Sequence, residues 1–198
     1  MGSVADWASL AVTLLLGVAG LVLARNVRRD VELKLADRRL AAYGRLWAEM
    51  RPASPYSPPM DPAGRALLHE ALTNWYYANG DGMLLPRVSR EVYFKAKDNL
   101  ICAVEEVTPD AARDRLCRLD SPELDRHRGL LTQRQMSLLR TQLKSDLAIY
   151  GRPYGPPLTD EDRDFLLACG VDVKKKPWSG SAQQHRPDRT DHASPAGT

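Results

Sequence analysis

The sequence predicts an all-α protein with one N-terminal transmembrane helix, a cytoplasmic helical bundle and a disordered C-terminal tail. Three observations lead to this fold class. An uncharged apolar stretch runs from Trp7 to Ala24. Apolar residues then recur at spacings of three and four, which is typical of amphipathic helices. Finally, no alternation of apolar and polar residues is long enough to predict a strand.

The apolar stretch predicts a membrane anchor over residues 1–25. Its 18 residues would extend about 27 Å as a helix, close to the roughly 30 Å hydrocarbon thickness of a bilayer. Arginines follow it at once, and Trp7 is placed like an interfacial aromatic residue. The predicted anchor residues are Trp7, Leu14, Leu15, Leu16, Leu21, Arg25, Arg28 and Arg29.

The charges at its two ends argue for a retained anchor and set its orientation. A secretory signal usually begins with basic residues, whereas here they follow the apolar stretch. A buried core helix would carry a polar stripe, and only Ser9 and Thr13 are polar. Because the basic flank stays inside, we expect the N-terminus outside the cell (inner) membrane and the rest of the chain in the cytoplasm.

Small residues spaced by four within this stretch form a possible helix–helix face. Such residues allow two membrane helices to approach closely, which would support self-association. They are also common in membrane helices that do not associate. The face comprises Ser9, Thr13, Gly17, Gly20 and Ala24.

Residues 26–51 predict a juxtamembrane amphipathic helix that continues from the anchor. Its apolar seam has two possible roles, a dimerising coiled coil or packing against the bundle. The seam lasts less than three heptads, so we favour packing against the bundle. The seam residues are Leu33, Ala36, Leu40, Tyr43, Trp47 and Met50.

Residues 52–61 are rich in proline and predict an extended linker before a helical domain over residues 62–170. Asp61 is placed to cap a helix whose first position is Pro62. That helix should end at Asn79-Gly80. Ser89 then resembles the N-cap of a third helix, which would reach Val107.

The second half of the domain contains further helix boundaries. Thr108-Pro109 and Ser121-Pro122 each break one helix and start another. Gly129 should interrupt the next helix, and Thr132 with Gln135 predicts a capping box that opens a new one reaching Tyr150. A last helix should span Thr159 to Cys169. Residues 171–198 lack apolar periodicity and predict a disordered tail.

Few residues in the soluble part suggest chemistry, so the sequence predicts no catalytic residue, no cofactor and no metal. His69-Glu70 begins like a zinc-protease motif, but Thr73 stands where the second histidine is needed. The three cysteines form no CxxC pair, as expected of thiols in a reducing cytosol. The net charge of +3 argues against a nucleic-acid surface.

One segment of the soluble part is distinctive, because consecutive aromatic residues precede a glycine-rich turn. The segment could form a partner surface or line a small-ligand pocket. Alternatively, the aromatic residues belong to the core, and the glycines provide backbone angles that other residues resist. The candidate surface residues are Trp75, Tyr76, Tyr77, Asn79 and Asp81.

Four segments resemble those of small, uncharacterised single-pass membrane proteins of actinobacteria. After the uncharged span these are RRDVELKLADRRLAAYGRLWAEM, LTNWYYANGDGMLL, SREVYFKAKDNL and SLLRTQLKSDLAIYG. The resemblance covers roughly residues 5–150 and implies a membrane location. Because that group has no assigned activity, no functional residue is carried over.

Taken together, these features predict a membrane-anchored scaffold or adaptor that contacts the lipid bilayer and binds another protein or itself as a homo-oligomer. Two alternatives stay open. One is a small-ligand sensor or enzyme that uses Trp75 to Gly82, and the other is an oligomeric effector that perturbs the membrane through the small-residue face.

Overall fold

The computed structural model describes residues 4–148 and 157–180, and within the first helix it leaves out the side chains of residues 4–16, 18 and 19. These two ranges contain helices and turns but no strand, which confirms the all-α fold class. The helices are α1 (Val4–Glu49), α2 (Pro62–Tyr77), α3 (Arg87–Asp98), α4 (Asp110–Leu116), α5 (Ser121–Asp146) and α6 (Asp160–Ala168), with short 3-10 turns at Arg51–Ala53, Ala78–Leu84, Val104–Glu106 and Trp178–Gly180.

Helix α1 is a single helix of 46 residues, so the apolar stretch continues into the juxtamembrane helix as predicted. Among the described side chains, no helix has a segment both long and apolar enough to cross a bilayer. Most of the predicted anchor falls outside that set, including Trp7, Leu14 to Leu16 and the face residues Ser9 and Thr13. The described members are exposed: Gly17, Gly20, Leu21, Ala24, Arg25, Arg28 and Arg29.

The main hydrophobic core extends across the predicted domain boundaries. Helix α1 contributes three residues near its C-terminal end and is followed at once by a fourth, Met50, and the segment after α6 contributes Val171 and Trp178. The proline-rich segment is not extended throughout as predicted, because it begins in the 3-10 turn Arg51–Ala53 and turns again over residues 55–57. It is packed, since Ala53 and Met60 are buried and Gln133 donates hydrogen bonds to the carbonyls of Ser57 and Pro58 at 2.7 and 2.9 Å. The α1 core residues are Ala42, Tyr43 and Leu46.

Helix α2 begins and ends where the sequence predicts. The Asp61 carboxylate accepts a hydrogen bond from the Gly64 backbone N–H at 2.7 Å, and Pro62 occupies the first position. After Tyr77 the chain turns through Asn79 and Gly80, whose φ angles of 53° and 72° are left-handed. Asparagine and glycine are the residues that adopt this conformation most readily.

Helix α3 differs from the prediction at both ends. It begins at Arg87 and ends at Asp98, so Ser89 lies within the first turn and is not the N-cap. The Ser89 hydroxyl instead donates to the Asp146 carboxylate at 2.6 Å. Val107 belongs to a smaller second core with Ala112, Leu116 and Leu131.

Helix α5 is continuous, so the predicted interruption at Gly129 and the capping box at Thr132 and Gln135 are both wrong. The helix starts at Ser121, and Asp120 is its N-cap. The Gln135 amide lies in mid-helix, where it donates to the Thr108 carbonyl at 2.9 Å. Gly129 is present because a Cβ there would lie 2.6 Å from the backbone of Met60.

Helix α6 is capped by Thr159 as predicted, through a capping box with Asp162. Asp162 also accepts two hydrogen bonds from Arg134 of α5, one of them from Nε at 2.7 Å, so the carboxylate holds α6 against α5. Burial alone would raise the pKa of Asp162. The hydrogen bonds from Arg134 and Thr159 outweigh it and hold that pKa below its usual value.

We expect Arg134→Met to lower the free energy of unfolding by about 2 kcal/mol, because it leaves the buried Asp162 without its cation. This is below the roughly 3–5 kcal/mol of a fully buried pair, since 35% of the Arg134 side chain is exposed. Urea unfolding at pH 7 measures the change. Because the Asp162 pKa is lowered, the pair stabilises the fold above about pH 4 and loses its effect as the pH falls through the folded-state pKa.

A matched control comes from α6, the helix that contains Asp162. The Arg163 and Asp160 side chains form an exposed pair at 3.2 Å, so Arg163→Met should change stability by less than about 0.5 kcal/mol. Equal effects of the two substitutions would contradict the role of Arg134 as the link between α5 and α6.

The start of the predicted disordered tail is ordered, which corrects that boundary. Val171 and Trp178 are buried, and the Trp178 indole N–H donates to the Gln142 side-chain carbonyl at 3.2 Å. The side chains of Val171 and Trp178 fill space beside α5. Apolar periodicity does not predict this contact. Residues 181–198 lie outside the described part of the chain.

Candidate interaction surfaces

An exposed apolar stripe runs along α1 beyond the edge of the bundle. Leu33 and Leu40 are 56% and 58% exposed and Trp47 is 37% exposed. These three residues are spaced by seven, so they lie on one helix face. Ala36 and Gly44 lie between them and are also exposed. We call this set, Leu33, Ala36, Leu40, Gly44 and Trp47, the α1 stripe.

The predicted packing of the seam against the bundle is wrong for Leu33, Ala36 and Leu40, which are exposed. Tyr43 and Met50 are buried as predicted, and Trp47 is partly covered by Arg140 and Lys144 of α5. The face of α1 that contacts the bundle is centred on Ala42 and Leu46. The seam lies partly beside that face, and within residues 4–148 and 157–180 its N-terminal members Leu33 and Ala36 are exposed.

The C-terminal end of the α1 stripe continues into a shallow apolar groove between α1 and α5. The groove has a volume of about 170 Å³, enough for one large side chain. Stripe and groove together form a continuous apolar surface on the described part of the chain. The groove is lined by Leu40, Tyr43, Gly44, Trp47, Leu143, Lys144 and Leu147.

The aromatic segment before the glycine-rich turn is mostly part of the core. Trp75 is buried, and its indole N–H donates to the Ala42 carbonyl at 3.0 Å. The Tyr76 ring stacks on that of Tyr93, with ring centroids 5.6 Å apart. These contacts fasten α2 to α1 and α3.

The turn itself is closed by an ion pair. Asp81 is buried and accepts two hydrogen bonds from Arg45 of α1, at 2.7 and 2.9 Å. Of the predicted partner surface, only Tyr77 and Asn79 are exposed. Because the Trp75 indole and the Asp81 carboxylate already have partners within the chain, the segment offers little for a ligand.

No family model matches this chain, and no curated protein or solved structure matches it either.

A partly buried polar cluster that sequence reasoning missed lies around Asp146 at the end of α5. Tyr43 and Ser89 donate to Asp146 Oδ2 at 3.1 and 2.6 Å, and Gln142 donates to Oδ1 at 3.3 Å. Burial raises the pKa of Asp146, and these hydrogen bonds together with the charge of Arg39 oppose the shift. Because the members are distant in the sequence, no local pattern could have indicated them.

The described residues contain no cluster of three or more metal-ligating side chains. Burial raises the pKa of Cys169 to about 12, so its thiol is protonated at neutral pH. Burial also raises the pKa of Cys102. His69 contacts Lys97 Nζ at 3.2 Å, and burial lowers the pKa of its ring. These side chains stand apart from one another and assemble no nucleophile and base.

Proposed function

We propose that this chain is a membrane-anchored cytoplasmic scaffold or adaptor that binds a helix of another protein, or of a second copy of itself. The α1 stripe is the observation that carries the proposal. It presents large apolar side chains in helical register on a helix that protrudes from the bundle. Amphipathic helices recognise such surfaces through residues spaced by three, four and seven.

The energetics of the stripe support a partner. Burying a leucine stabilises a complex by about 1.5–3 kcal/mol relative to leaving it in water. Leu33 and Leu40 are more than half exposed, and Trp47 exposes 37% of its large surface. The groove beside Trp47 adds a recess between α1 and α5 for one anchoring side chain of the partner.

The anchor part of the proposal depends on the sequence from Trp7 to Ala24 and on the basic residues that follow it. Helix α1 is continuous from this stretch to the bundle. The 17 positions between Arg25 and Ala42 correspond to about 25 Å of helix, so the stripe would stand clear of the membrane and be accessible from the cytoplasm.

A photo-cross-linking amino acid at position 40 of the full chain tests the stripe directly, with position 38 as the matched control. Arg38 is exposed on the opposite face of the same helix. We expect a cross-linked partner or dimer from position 40 and none from position 38. Mass spectrometry of the adduct distinguishes another protein from a second copy.

A charge substitution gives the complementary test. We expect Leu40→Glu to abolish co-purification of the partner in mild detergent, whereas Arg38→Glu should retain it. The exposed position of Leu40 keeps the bundle intact in the variant. Equal cross-linking from positions 38 and 40, or a partner retained by Leu40→Glu, would overturn the role of the stripe.

Cell fractionation tests the anchor separately. We expect the full chain in the membrane pellet after alkaline washing and in the supernatant only after detergent is added. Recovery in the supernatant without detergent would overturn the membrane location and leave the stripe to be judged on its own experiments.

A further inference from the structure

A cationic cleft lies on the other side of Trp47 from the apolar groove, between the end of α1 and the middle of α5. Its volume is about 460 Å³, within the usual range for small-ligand pockets. Three basic side chains line it, and no acidic side chain is among its lining residues. The lining residues are Trp47, Ala48, Arg51, Ser54, Pro55, Ser137, Arg140, Thr141 and Lys144.

The position of Arg140 is fixed by the backbone. Its guanidinium donates to the carbonyls of Met50 and Ala53, the latter at 3.3 and 3.4 Å. These carbonyls end α1 and the following 3-10 turn, so Arg140 acts as a C-terminal cap. No carboxylate neutralises it within the described residues, and burial lowers its pKa.

Lys144 and Arg51 bring two further positive charges to the cleft. The Lys144 ammonium lies 4.9 Å from the centroid of the Trp47 ring, and the Arg140 guanidinium carbon lies 5.8 Å from it. Trp47 therefore holds the two cations side by side through cation–π contacts. Within the described residues neither Lys144 nor Arg51 forms an ion pair with a carboxylate.

Three neighbouring cations without acidic partners repel one another unless an anion joins them. The capping of α1 explains the position of Arg140 but not the positions of Arg51 and Lys144. Arg and Lys side chains together are the usual ligands of phosphate groups, since they donate charge-assisted hydrogen bonds to several oxygens. The hydroxyl of Ser137 and the backbone around Ser54 line the same cleft and offer further polar groups.

We propose that this cleft binds a phosphate-bearing small molecule, with Arg51, Arg140 and Lys144 around the phosphate and the exposed part of Trp47 against the organic portion. This proposal goes beyond the scaffold function. The two sites adjoin, because the α1 stripe shares Trp47 with the cleft and the apolar groove shares Trp47 and Lys144 with it. A phosphate can come from a soluble metabolite or from a lipid headgroup, and the test separates the two.

The full chain in neutral detergent micelles is titrated with ADP and with pyrophosphate by calorimetry. We expect saturable binding that Lys144→Gln and Arg51→Gln each weaken about tenfold, as the loss of one charge-assisted hydrogen bond predicts. Arg140 stays unchanged because it caps α1. The matched control is Arg38→Gln, which removes one exposed positive charge elsewhere on α1 and should leave affinity within twofold.

Competition then assigns the source of the phosphate. Displacement of pyrophosphate by glycerol phosphate indicates a soluble ligand, and displacement only by phosphatidic acid in the micelles indicates a lipid headgroup. The proposal is overturned if neither probe binds at millimolar concentration, or if Arg38→Gln weakens binding as much as Lys144→Gln. Because Leu40 does not line the cleft, Leu40→Glu should lose the protein partner and keep ADP binding.

Discussion

Gly129→Val should destabilise the protein by about 3 kcal/mol or more. Gly129 lies buried in α5, where a Cβ would approach the backbone N and O of Met60 to 2.6 Å. The obstacle is main chain and not a flexible side chain, so α5 and the proline-rich segment would have to separate. Overpacking of this kind costs about 1–3 kcal/mol, and loss of the hydrogen bonds from Gln133 to that segment adds to it.

The control for this substitution is Gly44→Ala in α1. Gly44 is exposed, and a Cβ there meets no atom within 4 Å. We expect Gly44→Ala to stabilise the protein by about 0.5–1 kcal/mol, because alanine favours the helix. Urea unfolding followed by circular dichroism gives both values. A loss below 1 kcal/mol for Gly129→Val would show that the segment at Met60 is not seated on α5 as described.

Asp146→Ala is the second substitution with a large expected effect, a loss of about 2–4 kcal/mol. It leaves the hydroxyls of Tyr43 and Ser89 and the amide of Gln142 without their common acceptor. The cluster joins α1, α3 and α5, and through Gln142 it reaches Trp178. Asp146→Asn retains one acceptor oxygen and should lose about half as much at neutral pH.

The contribution of this cluster to the free energy of unfolding should change with pH in one direction. Because the folded-state pKa of Asp146 is raised, its protonated form is favoured in the folded protein. The resulting stabilisation is fully present below the unfolded-state pKa of about 3.9 and is lost as the pH rises through the folded-state pKa. We therefore expect the stability of the wild type relative to Asp146→Asn to fall as the pH rises above about 4.

Urea unfolding across this pH range measures the effect. Asp160→Asn is the control, since the Asp160 side chain is 99% exposed and the substitution should change stability by less than about 0.5 kcal/mol. A wild-type advantage over Asp146→Asn that grows with pH would contradict a raised pKa for Asp146.

The parts of the fold that the sequence predicted correctly depend on neighbouring residues. Asp61 and Thr159 cap their helices through bonds to the backbone three positions away, and the Asn79-Gly80 turn requires only two left-handed residues. Ser89 likewise resembles an N-cap and Gly129 a helix interruption, yet each residue makes a contact with a distant segment. A local pattern cannot distinguish a cap from a tertiary contact.

The α1 stripe was also predictable only in part from the sequence. Apolar periodicity placed Leu33, Leu40 and Trp47 on one helix face, but their exposure depends on where the bundle ends along α1. The cationic cleft could not be predicted at all, because Arg51 and Arg140 come together only when α5 packs against the end of α1.

Because α1 is a single helix from Val4 to Glu49, the number of residues between its two ends fixes the rotation of one end relative to the other. Each residue contributes about 100° of rotation and 1.5 Å of advance. A single residue inserted between Arg25 and Leu33 would therefore rotate the bundle by roughly a quarter of a circle about the helix axis. Seven inserted residues would return the bundle to within about 20° of its original orientation. The number of residues between the two ends of α1 therefore sets the direction in which the α1 stripe faces.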